Sequence, residues 1–220
     1  MKKLLLIITS SVFTLVLAAC NSSDQTGEEI YTHLEEAVEL ESDFQDAQAE
    51  LVDIEKEENV LYEEMIEINM EELDQVEEKA NQAKELSEQR KELMDTEMES
   101  IEAGKEEFDK IGPLIEELEE GPAEKANELV SVMENRYEAF GQLHETYLSS
   151  IESDQALYDM LMDEELDKET LDQQVDEINE KYEQIAEHQQ AFNEQTNQFN
   201  EMKKEFYDTI ELNVEYAEES

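Results

Sequence analysis

Apolar residues recur every third or fourth position from Ile30 to Ile210, and that rhythm predicts helices rather than strands. The first stripe runs Ile30, Leu34, Ala37, Phe44, Ala47, Leu51 and Ile54, with Glu and Asp between them facing water. Thr26 followed by Glu29 has the pattern of a capping box and predicts where this helix starts. No Gly or Pro lies between Glu28 and Ala103, which permits one very long helix. Asn69-Met70-Glu71-Glu72 nevertheless reads as a fresh N-cap, so a break is expected between Asn59 and Asn69.

The second stripe is Leu73, Val76, Ala80, Ala83, Leu86, Leu93, Ile101, Phe108 and Ile111. Gly104 is a weak point inside it and Gly112-Pro113 a stop. Gly121-Pro122 opens a third helix, since proline fits a first helical turn, and residues 113–120 bridge the two signals. That helix presents Leu129, Met133, Tyr137, Phe140, Tyr147, Ile151, Leu157 and Leu161, and the charged stretch Asp163 to Thr170 predicts a tight turn. A fourth helix steps by four and three alternately through Leu171, Val175, Ile178, Tyr182, Ile185, Gln189, Phe192, Thr196, Phe199, Lys203, Phe206 and Ile210, a coiled-coil seam. Gln189, Thr196 and Lys203 share one heptad position. They read as register-setting residues or a wet edge, with a ligand site as the alternative.

Helices of roughly 30 to 40 residues are roughly 45 to 60 Å long and, joined by short turns, run antiparallel to their neighbours. The expected fold is all-α: an elongated up-and-down bundle of three to four long helices with coiled-coil-like packing. Its domain is placed at residues 28–215, with 20–27 as a polar tether and 1–19 as a leader.

Composition agrees with helices and adds a constraint. Five Gly, two Pro and no Trp leave little to favour a sheet, while 63 acidic residues against 15 basic ones give a formal charge of -48. Such a chain repels nucleic acid and other polyanions, and its Glu pairs at i, i+4 oppose each helix alone. Burial between helices has to outweigh that repulsion.

The one long apolar run lies at the start. Lys2 and Lys3 precede Leu4 to Leu17, and Ala18, Ala19 and Cys20 follow: a basic region, an apolar region and a small-residue cleavage zone. The run is short for a membrane span, and polar Asn21 to Thr26 follows at once; an uncleaved anchor is the alternative reading. Leu17-Ala18-Ala19-Cys20 resembles the lipobox of bacterial lipoproteins, in which the cysteine thiol receives a diacylglyceryl group and becomes the first mature residue. The resemblance makes Cys20, the chain's single cysteine, the lipid-attachment residue. Two acyl chains hold a protein stably where one does not. Loss of Lys2 and Lys3 with the leader takes the charge from -48 to -50, so lipid rather than electrostatics must do the holding.

Elsewhere the chain carries few signs of chemistry. Three residues before His33, His144 and His188 stand Ile30, Gly141 and Ile185, so the Glu-x-x-His pairs of di-iron bundles are missing. The sequence contains no zinc-protease motif, nucleophile elbow, Walker loop or dinucleotide fingerprint. Acidic clusters such as Glu116-Glu117 with Glu119-Glu120, or Asp163-Glu164-Glu165, collect divalent cations only diffusely, as no EF-hand spacing is present. Tyr137, Tyr147, Tyr158 and Tyr207 are of a type that stacks on sugar rings, but their heptad spacing favours core packing. No catalytic residue, metal site or cofactor is assigned.

Met133-Glu-Asn-Arg136-Tyr137, Leu157-Tyr158, Tyr31-Thr-His33-Leu34-Glu35 and the run from Phe192 to Tyr207 are similar to the YkyA-type cell-wall-binding lipoproteins of Gram-positive bacteria. The resemblance implies an all-helical, lipid-anchored protein on the outer face of the cytoplasmic membrane, associated with the wall. Anionic wall polymers and a body near -50 repel each other, so wall binding is expected to depend on salt and divalent cations. The leading expectation is a non-enzymatic envelope lipoprotein that binds wall or acts as a spacer. The alternatives are an assembly or chaperone-like accessory that holds an exported protein in a helix groove, and a wall-modifying enzyme with novel chemistry.

Overall fold

The computed structural model describes residues 22–68, 72–212 and 214, so the leader, Cys20 and the expected cap Asn69 lie outside the described residues. Within them the chain forms α1 (Ser22–Leu40), α2 (Ser42–Glu67), α3 (Leu73–Phe108), α4 (Ile111–Ile115), α5 (Glu120–Leu161) and α6 (Lys168–Thr209), with no strand. The all-α expectation holds. No helix among the described residues is long and apolar enough to cross a membrane.

The chain divides into two compact units. Unit 1 takes residues 22–42, 100–140 and 190–214 of those described, and unit 2 takes 43–99 and 141–189. Thus α1 and α4 belong to unit 1, α2 belongs to unit 2 apart from its first residue, and α3, α5 and α6 contribute a segment to each.

In unit 1, Ile30, Leu34 and Ala37 of α1 pack with Phe108, Ile111 and Leu129 and with Phe199, Phe206 and Tyr207 of α6. Edge-on ring pairs join Tyr31 to Tyr207 at 5.1 Å and Phe108 to Phe199 at 6.1 Å, a geometry that adds to plain area burial. The first stripe read from the sequence is buried throughout, in both units. Its helix is nonetheless not one piece. α1 stops at Leu40 although no Gly or Pro is near. Ser100 Oγ donates to the Leu40 carbonyl at 3.0 Å, and the Glu41 carboxylate turns to Arg136. Tertiary bonds thus replace what a continuous helix would have supplied, which no local signal records.

Gly104 has a positive role here rather than a weak one. A Cβ placed on it would stand 3.0 Å from the Ala37 carbonyl oxygen and 2.8 Å from Glu41 Cγ, so the glycine lets α3 approach the α1 terminus. Two starting signals also differ from expectation. Thr26 is not an N-cap, because α1 begins at Ser22; the Thr26 side chain is buried and donates to Glu117 Oε2 at 3.5 Å. Gly112-Pro113 lies inside the short α4 instead of ending α3. Pro122 sits in the first turn of α5 as predicted.

In unit 2, Met65 of α2, Val76, Ala80 and Ala83 of α3 and Tyr158 of α5 form one apolar cluster. α2 continues to Glu67 and α3 starts at Leu73, so the helix ends at the far edge of the expected window, Asn59 to Asn69. The α5–α6 connection lies where the charged stretch predicted it. Asp163 Oδ1 accepts the Glu165 N–H at 2.9 Å, and Asp167 caps α6 by accepting the N–H groups of Glu169 and Thr170 at 3.0 Å. Hydrogen bonds from Thr170 hold the Asp167 carboxyl below its ordinary range.

The second stripe is where pattern and packing part. From Val76 to Glu97 the buried positions of α3 are Val76, Ala80, Ala83, Ser87, Arg90, Met94 and Glu97, a regular four-three alternation. Leu86 and Leu93, expected in the core, stand one residue away and are only half-buried. Polar side chains occupy the inside because they find partners there.

Candidate functional site

The residue type that the sequence reading passed over is arginine. Arg90, on α3 in unit 2, is 1% exposed and is the largest fully buried side chain described. Its Nη1 donates to Glu58 Oε2 at 2.7 Å and to Asp154 Oδ2 at 2.9 Å. Its Nε donates to the Tyr147 hydroxyl at 3.1 Å and Nη2 to the Tyr182 hydroxyl at 3.3 Å. Each hydroxyl in turn donates a hydrogen bond: Tyr147 to Glu55, Tyr182 to Asp154 Oδ2 at 2.8 Å. Ser87 and Tyr158 donate to Glu58 Oε1 at 2.7 and 2.8 Å. Three helices, α2, α5 and α6, thus send polar groups to one guanidinium on α3.

The electrostatics follow from burial. Burial opposes the Arg90 charge, but the surrounding tyrosine and carboxylate oxygens more than offset it and hold its pKa far above the ordinary value. Burial pushes the Asp154 carboxyl up against the pull of Arg90, and it raises Tyr147, Tyr158 and Tyr182 so that all three stay neutral donors. Glu97, one heptad C-terminal to Arg90 on α3, is different. It is buried, its Oε1 has no hydrogen-bond partner, and burial with the nearby Glu55 charge pushes its carboxyl up to about 8. The shift favours the protonated acid at neutral pH.

Unit 1 has its own arginine. Arg136 on α5 forks onto Glu41 at 2.8 and 2.6 Å, donates Nε to Thr196 Oγ1 at 3.0 Å, and lays its guanidinium 4.8 Å from the centre of the Phe192 ring. Lys203 pairs with Glu35 at 3.0 Å beside Tyr207, which donates to the same carboxylate oxygen at 2.7 Å. The polar heptad positions Thr196 and Lys203 therefore meet specific partners, as register-setting residues do. Gln189 is half-buried.

The histidines set aside in the sequence fare unequally. His33 Nδ1 donates to Glu107 Oε1 at 2.6 Å, and Glu36 lies close enough that ligand atoms of all three fall within 4.8 Å. Lys110 already pairs with the other Glu107 oxygen, and the Lys110 and His33 bonds hold the Glu107 carboxyl below its ordinary range. That carboxylate has its hydrogen-bond partners within the protein. Of the four tyrosines weighed for sugar stacking, Tyr147, Tyr158 and Tyr207 are buried and Tyr137 is half-buried, so their faces are packed rather than offered.

One open feature belongs to unit 2. Between α2 and α3 runs a groove of about 490 Å³ whose apolar lining is Val60, Leu61 and Leu86, with Glu57, Glu85 and Lys56 alongside. Val60 keeps 51% of its surface exposed. The only hint in the sequence was Leu86, which the stripe reading assigned to the core.

Comparison with known proteins adds what geometry does not. A lipoprotein of Bacillus subtilis (strain 168), described as "Uncharacterized lipoprotein YkyA", is 32% identical over 170 residues, 77% of this chain and 76% of the relative. A crystal structure of a conserved Staphylococcus aureus protein of unknown function shares the fold with a TM-score of 0.74 at 13% identity, over 86% of this chain and 97% of that one. Residues 25–209 match the family described as "Putative cell-wall binding lipoprotein", and the chain belongs to that family, YkyA.

Proposed function

We propose that this protein is a non-enzymatic lipoprotein of the cell envelope, held on the outer face of the cytoplasmic membrane through a lipidated Cys20, whose helical body binds wall polymer or spaces the wall from the membrane. The observation that carries the reading is the family match over residues 25–209, a family whose description names wall binding and no reaction. The run Leu17-Ala18-Ala19-Cys20 supports the anchor. Charge supplies the condition: a -48 chain approaches anionic polymer only across bridging cations, because like charges repel and monovalent salt screens them within about 10 Å at 0.1 M.

The test uses purified wall sacculi and the chain carrying Cys20→Ser. Retention is expected in millimolar Mg²⁺ or Ca²⁺ and release on chelation. Failure to be retained with either cation removes wall binding. Labelled palmitate should enter the wild-type chain in cells and be absent from Cys20→Ser, while peptidoglycan fragments incubated with the protein should stay unchanged.

A second reading, an accessory that holds an exported protein, draws support from one specific observation, the half-exposed apolar lining of the α2–α3 groove. Cross-linking in intact cells that captures no protein partner would remove it.

A further inference from the structure

At the groove between α2 and α3 an apolar position of the predicted second stripe, Leu86, is left out of the core. Ser87, Arg90, Met94 and Glu97 take the interior of α3, and this turns Leu86 and Leu93 outward by one residue each. Leu86 joins Leu61 and the exposed Val60 in lining the groove. The cleft between two side-by-side helices has the form that a third helix fills, with apolar side chains at i, i+3 or i+4 and i+7 as anchors.

Charge selects the occupant. Glu57 and Glu85 line the groove, and Lys56, which also lines it, is already paired with Asp53 at 2.5 Å. A second copy of this chain would bring another 63 acidic residues against 15 basic, and anionic polymer would be repelled likewise. A cationic amphipathic helix meets both requirements, its apolar face on Val60, Leu61 and Leu86 and its Lys or Arg flanks on Glu57 and Glu85. We infer that the α2–α3 groove of unit 2 is a docking site for a basic amphipathic helix of a partner protein. The inference rests on the partner-holding reading and gives it a surface and a partner chemistry.

The probe is an 18-residue Lys/Leu peptide with leucines at helical spacing, labelled for fluorescence anisotropy. Its controls are a scrambled peptide of the same composition and a Glu/Leu counterpart, and the protein is the chain from residue 20 onward with Cys20→Ser. The amphipathic peptide should bind at least tenfold more tightly than the scrambled one at 0.15 M salt, and the Glu/Leu peptide should not bind. Val60→Gln, at an exposed position, and Leu86→Gln, at a half-buried one, should each weaken binding about tenfold with unchanged far-UV circular dichroism. Leu40→Gln, at an exposed apolar position in unit 1, should leave binding unchanged. Equal binding of the scrambled peptide would reduce the attraction to bulk charge and overturn the site. So would insensitivity to both groove substitutions, or sedimentation showing a dimer that Leu86→Gln dissolves. Cross-links in cells to a partner through another face would overturn the groove while leaving the partner-holding reading in place.

Discussion

Arg90 and Arg136 are equally hidden, at 1% and 2% exposure, yet they are held in opposite styles. Arg136 has one carboxylate, Glu41, in a bidentate fork, and that carboxylate sits at the α1–α2 break with 12% of its side chain exposed. Arg90 faces two carboxylates, Glu58 and Asp154, that are 4% and 7% exposed and share its Nη1, with tyrosine hydroxyls on its other nitrogens. The first is a clasp whose acid can swing to water when the partner is lost. The second is a closed network in which removing the cation strands two acids. A buried ion pair adds little net stability compared with well-packed apolar residues, but removing one partner costs much, so the two arginines differ chiefly in what they leave behind.

The largest effect should come from Arg90→Met. It abandons Glu58 and Asp154 together and should cost about 3–5 kcal/mol in denaturant unfolding. The triple change Arg90→Met, Glu58→Gln, Asp154→Asn should recover a good part of it. A loss under about 1 kcal/mol for the single variant would show that the two acids reach water after all. Arg136→Met should cost less, about 1–3 kcal/mol, because Glu41 can rehydrate. A cost equal to that of Arg90→Met would erase the distinction drawn between the hubs.

Glu97 sharpens the comparison by isolating a buried acid with no cation at all. Its folded pKa is raised to about 8, so the native state binds more protons than the unfolded chain between about pH 4.5 and 8. Its contribution to stability is therefore intact below about 4.5 and is lost progressively as pH rises to about 8. Glu97→Gln should flatten that part of the decline and stabilise the protein by about 1–3 kcal/mol at pH 8, with little change at pH 4.5. Equal unfolding free energies for parent and variant at pH 8 would contradict the raised value.

The smallest effect concerns salt. The midpoint of thermal unfolding should rise by a few degrees as NaCl goes from about 10 mM to 0.5 M, since screening relieves the repulsion among exposed acids. The gap between Arg90→Met and the parent should hardly change over that range, because ions do not reach the buried pair. A gap that closes with salt would place the Arg90 network in solvent.

Much of the fold was readable in the chain. The four-three recurrence put Ile30, Leu34, Phe44, Leu51, Phe192, Phe199 and Phe206 inside, and all are buried. Asp163 to Thr170 marked a turn and Pro122 a helix start, since these are local consequences of side-chain hydrogen bonding and ring geometry. The residues that carry the family resemblance include Arg136, Phe192, Phe199, Phe206 and Tyr207, all buried. They therefore reported the fold well and a binding surface hardly at all.

Reading each helix by its apolar positions failed at α3. Nothing adjacent in sequence tells Ser87 and Arg90 that Glu58 lies 29 and 32 positions away, or that Asp154 and Tyr147 lie 64 and 57 away. The same is true of the α1–α2 break, set by Arg136, 95 residues beyond Glu41, and of the close approach at Gly104. By itself the sequence determined helix type, most of the apolar faces, the acidic surface and the lipobox pattern at Cys20, because each depends on neighbours a few residues apart. Only the tertiary structure decided which polar side chains go inside and which leucines are turned out into a groove. A charge is worth burying only where distant helices bring it a partner, and that encounter exists only once the chain has folded.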